Sequence, residues 1–117
     1  MFHKIIIVGR LGADPEQKYT VDGKAVTSFS VAAENRKDET LWFRVSTWDK
    51  QAETCNQYLH KGSKVLVEGA LRADGAGNPR VYERKDGLGW AASFEVVASS
   101  VKFLSGKDEP ADQEIAF

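Results

Sequence analysis

The chain reads as an all-β domain, a five-stranded Greek-key barrel with one short helix between the third and fourth strands. Five stretches alternate apolar and polar side chains at a period of two, the mark of half-buried strands. Between the third and fourth of them, residues 49–60 change to helical spacing. Gly, Asp-Gly and Asn-Pro signals mark the joints. The size agrees: 117 residues, 42% hydrophobic and 28% charged, make one small globular domain rather than a multi-domain enzyme or a disordered chain.

Residues 3–11 are β-branched and apolar and stop at Gly12, a first strand that Asp14-Pro15 breaks. Asp22-Gly23 is a turn signal before the second strand, residues 24–34, where Ala25, Thr27, Phe29, Val31 and Ala33 share one face. Residues 35–39 are polar, a loop, and residues 40–49 alternate again as the third strand. In the helix, Ala52, Cys55 and Leu59 fall on one side, Asp49 is placed to cap the start, and Gly62 to take a left-handed conformation past the end. Residues 64–72 form the fourth strand, with Val65, Val67 and Leu71 on one face. Residues 73–89 hold Gly75, Gly77, Gly87 and Gly89, a long excursion with room for a loose hairpin around Val81-Tyr82; residues 92–104 are the fifth strand. From Gly106 onward no apolar period remains, so the chain divides into a barrel domain, 1–105, and a short acidic tail, 106–117, expected to be disordered. Five strands with this helix placement are the layout of an OB-fold, a barrel that binds oligonucleotides and oligosaccharides.

Composition excludes several function classes. The longest apolar run, residues 5–8, is far short of the ~20 residues of a membrane-spanning helix, and the opening residues read neither as a signal peptide nor as a transit segment. One cysteine, Cys55, makes no internal disulfide and no cysteine-rich zinc site, which points to a reducing cytoplasm. His3 and His60 stand apart from any carboxylate cluster, and no nucleophile–base pair is visible; no metal or cofactor is implied and no enzymatic activity is expected. The net charge of −1 conceals an asymmetry: the tail carries −3 and residues 1–105 carry +2.

The chemistry concentrates in residues 41–48, Leu-Trp-Phe-Arg-Val-Ser-Thr-Trp. Period two sends Leu41, Phe43, Val45 and Thr47 to the core and Trp42, Arg44, Ser46 and Trp48 to the other face. Two indoles with a guanidinium between them suit single-stranded nucleic acid, whose bases stack on aromatic rings while cations track the phosphates. The competing explanation is that the tryptophans pack in a subunit interface or beneath the long excursion.

Four segments also resemble the bacterial-type single-stranded-DNA-binding protein family: Val8-Gly9-Arg10-Leu11-Gly12-Ala13-Asp14-Pro15-Glu16, Trp42-Phe43-Arg44-Val45, Tyr58-Leu59-His60-Lys61-Gly62-Ser63-Lys64-Val65 and Val67-Glu68-Gly69-Ala70-Leu71-Arg72. They fall in the same order and span nearly all of residues 3–104. The resemblance implies an OB-fold homotetramer that wraps single-stranded DNA during replication, recombination and repair. It matches Trp42 and Trp48 to base-stacking positions, and Lys4, Lys18, Arg44, Lys50, Lys61 and Arg72 to basic or backbone-contacting ones. The loop of residues 35–39 offers Arg36 and Lys37 but lacks the ring usual there. No aromatic follows Arg72 closely, so Tyr82 and Trp90 are the nearest substitutes for a further stacking position. The tail resembles the family's partner-binding tip, through Asp112, Glu114, Ile115 and Phe117, with Ala116 where proline is usual; through it the family recruits replication, recombination and repair proteins. Two alternatives stay open: a single-stranded RNA- or tRNA-binding OB module, and a protein-interaction subunit that has lost nucleic-acid binding.

Overall fold

The structure, a computed structural model, describes residues 1–105. The acidic segment 106–117, and with it Asp112, Glu114, Ile115 and Phe117, lies outside the described residues. In chain order the elements are β1 (Ile5–Leu11), β2 (Glu16–Tyr19), β3 (Ala25–Glu34), β4 (Thr40–Trp48), α1 (Asp49–Tyr58), β5 (Lys64–Leu71), β6 (Val81–Glu83), β7 (Trp90–Ala92) and β8 (Phe94–Phe103).

β1, β5, β8, β4 and β3 pair in that order, and β3 returns to β1 to close a five-stranded barrel. All these pairings are antiparallel except β4 with β8. Closure depends on Gly9, since a Cβ there would sit 2.1 Å from the Ala32 carbonyl oxygen. The alternating strands send Phe29, Val31, Val45, Val65, Val67 and Val96 inward, each at most 2% exposed. Helix α1 adds Ala52 and Cys55, followed by Leu59. One buried hydroxyl ties the helix to the barrel, Thr27 Oγ1 donating to the Ala52 carbonyl at 2.6 Å, and a second links neighbouring strands, Thr47 Oγ1 of β4 donating to the Thr27 carbonyl of β3 at 2.9 Å.

Several details differ from the sequence expectation. β2 was not foreseen: its Glu-Gln-Lys-Tyr has no apolar alternation and follows a proline, but β3 outruns β1 and leaves backbone groups that β2 pairs. Along β3 the two segments act as one bent strand, residues 12–15 opposing only Phe29 and Ser30. Asp49 is not the cap. Trp48 holds that position with no side-chain cap bond, and Asp49 is the first helical residue, at φ +56°. Its carboxylate instead places negative charge in the first turn, where the helix dipole favours it. Gly62 does adopt a left-handed φ of +90°. Leu71 is on the expected face yet 53% exposed, because β5 continues two residues past Ile5, its last partner on β1. The last barrel strand runs Phe94–Phe103, close to the expected 92–104, while Ala92 ends β7, which pairs with β6 in a hairpin. Within β8 a bulge at Ser99 shifts the register, so Val96 and Ala98 point inward before it and Val101 after it.

Candidate nucleic-acid interface

The two faces of β4 separate as its alternation dictates. Phe43, Val45 and Thr47 are buried, while Trp42 and Trp48 are 52% and 42% exposed on the outside with Arg44 between them. Neighbouring strands extend this outer face into rows. Arg10, Ala32 and Trp42 are register partners, as are Ser30, Arg44 and Glu95, and then Lys18, Val26 and Trp48. Small side chains on β3 (Ser28, Ser30, Ala32) keep the middle of the face low. The six-residue separation of the tryptophans spans ~20 Å at the rise of an extended strand.

The β6–β7 hairpin forms an arm beside the Thr40 end of β4. Between arm and barrel runs an open groove of about 730 Å³, lined among others by Trp42, Arg44, Arg80, Tyr82, Lys85 and Phe94. Two side chains tie the arm's stalk to the barrel. Arg80 Nη1 lies 3.0 Å from Glu95 Oε1, and Arg72 Nη1 lies 3.8 Å from the same oxygen. The Arg72 amide also donates to the Glu95 carbonyl at 2.9 Å. Farther along, the Tyr82 hydroxyl and Ser93 Oγ are 3.1 Å apart, and Phe94 packs its ring 5.8 Å from that of Phe43.

The floor beneath Trp42 is backbone. A Cβ on Gly12 would stand 2.5 Å from indole Cζ3 and 2.8 Å from Cη2, so the six-membered ring rests where a side chain would otherwise be. The Gly12 amide donates to the Ser30 carbonyl at 3.1 Å, and the Leu11 amide to the Ser63 carbonyl at 3.0 Å, which fixes this corner from both sides.

Of the residues singled out from the sequence, Trp42, Arg44 and Tyr82 meet in the groove. Trp48 lies at the other end of the same face, in one row with Lys18 and just before Lys50 in the first turn of α1. Arg36 is exposed in the turn between β3 and β4, and Arg72 directly follows β5. Trp90 is 70% exposed on β7, paired with Glu83 and outside the groove lining. Lys4 forms an ion pair with Glu68 at 3.3 Å on the β1–β5 wall, away from the groove. The Lys61 amide donates to Asp14 Oδ1 at 2.8 Å, joining the turn before β5 to the β1–β2 corner. Sequence reasoning missed Arg80, Lys85 and Phe94 as groove residues. Arg80 and Lys85 stand in a stretch with no period, and Phe94 has core parity but sits at the barrel mouth, 57% exposed.

Two ionisable groups outside the groove lining are displaced. Burial pushes the Cys55 thiol up to about 11, against a smaller lowering by its hydrogen bond with Thr47. The amides of Ala76 and Asn78 hold the Asp74 carboxyl below the ordinary range.

Comparison with known proteins points the same way. The single-strand binding protein family matches residues 2–104. A single-stranded DNA-binding protein of Neisseria meningitidis serogroup A is 37% identical over 115 residues, covering 92% of this chain and 62% of that protein. One from Xanthomonas campestris is 38% identical, covering 92% and 63%, and one from Thermotoga maritima 40% identical, covering 91% and 76%. The chain thus spans about three fifths of the Neisseria and Xanthomonas proteins. With its closed barrel, an outward aromatic face on β4 and this match over nearly all the described residues, the chain belongs to the single-strand binding protein family.

Proposed function

We propose that this chain binds single-stranded DNA with little regard for sequence, without catalysis, in the cytoplasm. The observation that carries the reading is the outer face of β4, where Trp42 and Trp48 stand half-exposed around Arg44 beside a groove rich in cations. Bases leave their own stack to lie against the indoles, each contact contributing ~1–3 kcal/mol whatever the base. Arg44, Arg80 and Lys85 then meet phosphates along the groove, with Lys18 and Lys50 doing so near Trp48. Duplex DNA keeps its bases stacked inward and offers the rings nothing. Binding by mass action coats exposed strands and removes hairpins, which suits replication, recombination and repair. The outward Ile6 of β1, 60% exposed, and Phe2 before it, 88% exposed, support a subunit contact; the homotetramer is what the family resemblance adds to it. In this reading residues 106–117 recruit partner proteins through Asp112, Glu114, Ile115 and Phe117.

Fluorescence anisotropy with labelled strands of equal length tests this reading. Oligo-dT is expected to bind more tightly than oligo-rU, and far more tightly than duplex. Preference for oligo-rU would favour the RNA-binding alternative, and no binding to any strand would favour a protein-interaction subunit. A solution mass of one protomer would remove the tetramer.

A further inference from the structure

The contact between Trp42 and Gly12 bears on how a stacking ring is held, and its significance rests on the proposed binding of single strands. An exposed indole on a strand has rotamers that stand away from the sheet and rotamers that lie down on it. Here it lies down over the neighbouring strand, with its Cζ3–Cη2 edge over residue 12. Any Cβ at that position would overlap the ring, at 2.5 and 2.8 Å. Two backbone hydrogen bonds hold the corner, from the Gly12 amide to Ser30 and from the Leu11 amide to Ser63, so the ring, not the backbone, would have to yield. Gly12 is not needed here for a left-handed turn, because it is not among the glycines with positive φ.

We propose that Gly12 is a positioning residue for base stacking: its missing side chain forms the seat that keeps the Trp42 indole lying in the groove beside Arg44. Gly12 itself touches no base and acts through the ring alone.

A double-mutant cycle on oligo-dT affinity tests the seat, using the full chain and the variants Gly12→Ala, Trp42→Ala and both together. Gly12→Ala is expected to weaken binding about threefold to tenfold, part of what one stacked base contributes. In the Trp42→Ala background it should have no effect, since the ring it displaces is gone. In a Trp48→Phe, Trp90→Phe protein, where Trp42 is the sole indole, Gly12→Ala should also make the unbound protein's emission more accessible to acrylamide. An equal loss in both backgrounds would show that Gly12 acts through the backbone, and would overturn the proposal. So would unchanged affinity in Gly12→Ala when Trp42→Ala alone weakens binding. If Trp42→Ala binds like the parent, the stacking reading itself falls, a separate result from failure of the seat.

Discussion

Trp42 and Trp48 are large apolar side chains that the fold leaves half in water, so their removal should be felt in binding more than in stability. Trp42→Ala and Trp48→Ala are each expected to weaken oligo-dT binding by ~1–3 kcal/mol with little change in melting temperature. Equilibrium titration and thermal unfolding of each variant check both halves. Arg44→Ala should reduce the steepness of log affinity against log salt by about 0.7, the contribution of one phosphate on a single strand. Asp49 carries the opposite signature, stability without binding. At φ +56° it occupies a region that Asp tolerates and β-branched residues do not, so Asp49→Val should cost about 1–2 kcal/mol of stability by denaturant unfolding. At this scale the sequence was most readable where a periodic strand decides orientation, as for every residue from Phe43 to Trp48. The seat at Gly12 was not readable, because it joins residues 30 positions apart.

Among the elements, the β6–β7 arm is the one whose place in the fold depends on few contacts. Its two strands pair with each other and with no strand of the barrel. An isolated hairpin of this kind is marginal in water, so the tie of Arg80 and Arg72 to Glu95 does much to hold it at the groove. Glu95→Gln should therefore speed amide exchange in Val81–Glu83 and Trp90–Ala92 about fivefold to tenfold, corresponding to ~1–1.5 kcal/mol, and leave the core of β3 and β5 unchanged. Unaltered exchange in the arm would mean that something else anchors it. The barrel strands and α1 were legible because their buried sides repeat at two or near four residues. β2 was not, since a polar edge strand carries no such period; of the arm, the glycines and Val81-Tyr82 showed a hairpin but not where it sits against the barrel. The groove was hidden because its walls come from β4 and from a hairpin some 40 positions later in the chain, which only the fold brings together.

For the whole molecule, charge and burial set the behaviour with salt and pH. Deleting residues 107–117 removes one cation and four anions, raising the net charge by three. Affinity for oligo-dT should hold or increase, most visibly at low salt, because those anions compete with phosphates for the same cations. A loss of binding would show that the segment contributes to the fold or to the site. The buried Cys55 thiol favours its neutral form in the folded barrel, at about 11 against 9.0 in the open chain. Its contribution to stability is thus fully present below pH 9 and is lost as pH rises towards about 11. Unfolding measured across that range should show a steeper fall for the parent than for Cys55→Ala.

If the outer face of β4 is a base-stacking platform, the emission of a single indole reports on it directly. In a Trp48→Phe, Trp90→Phe protein, Trp42 is the sole tryptophan. Titration with oligo-dT is predicted to quench its emission strongly and saturably, with duplex DNA of the same length producing little change. Saturable binding of oligo-dT, followed independently by anisotropy, with the Trp42 emission unaltered would show that bases do not stack on this face.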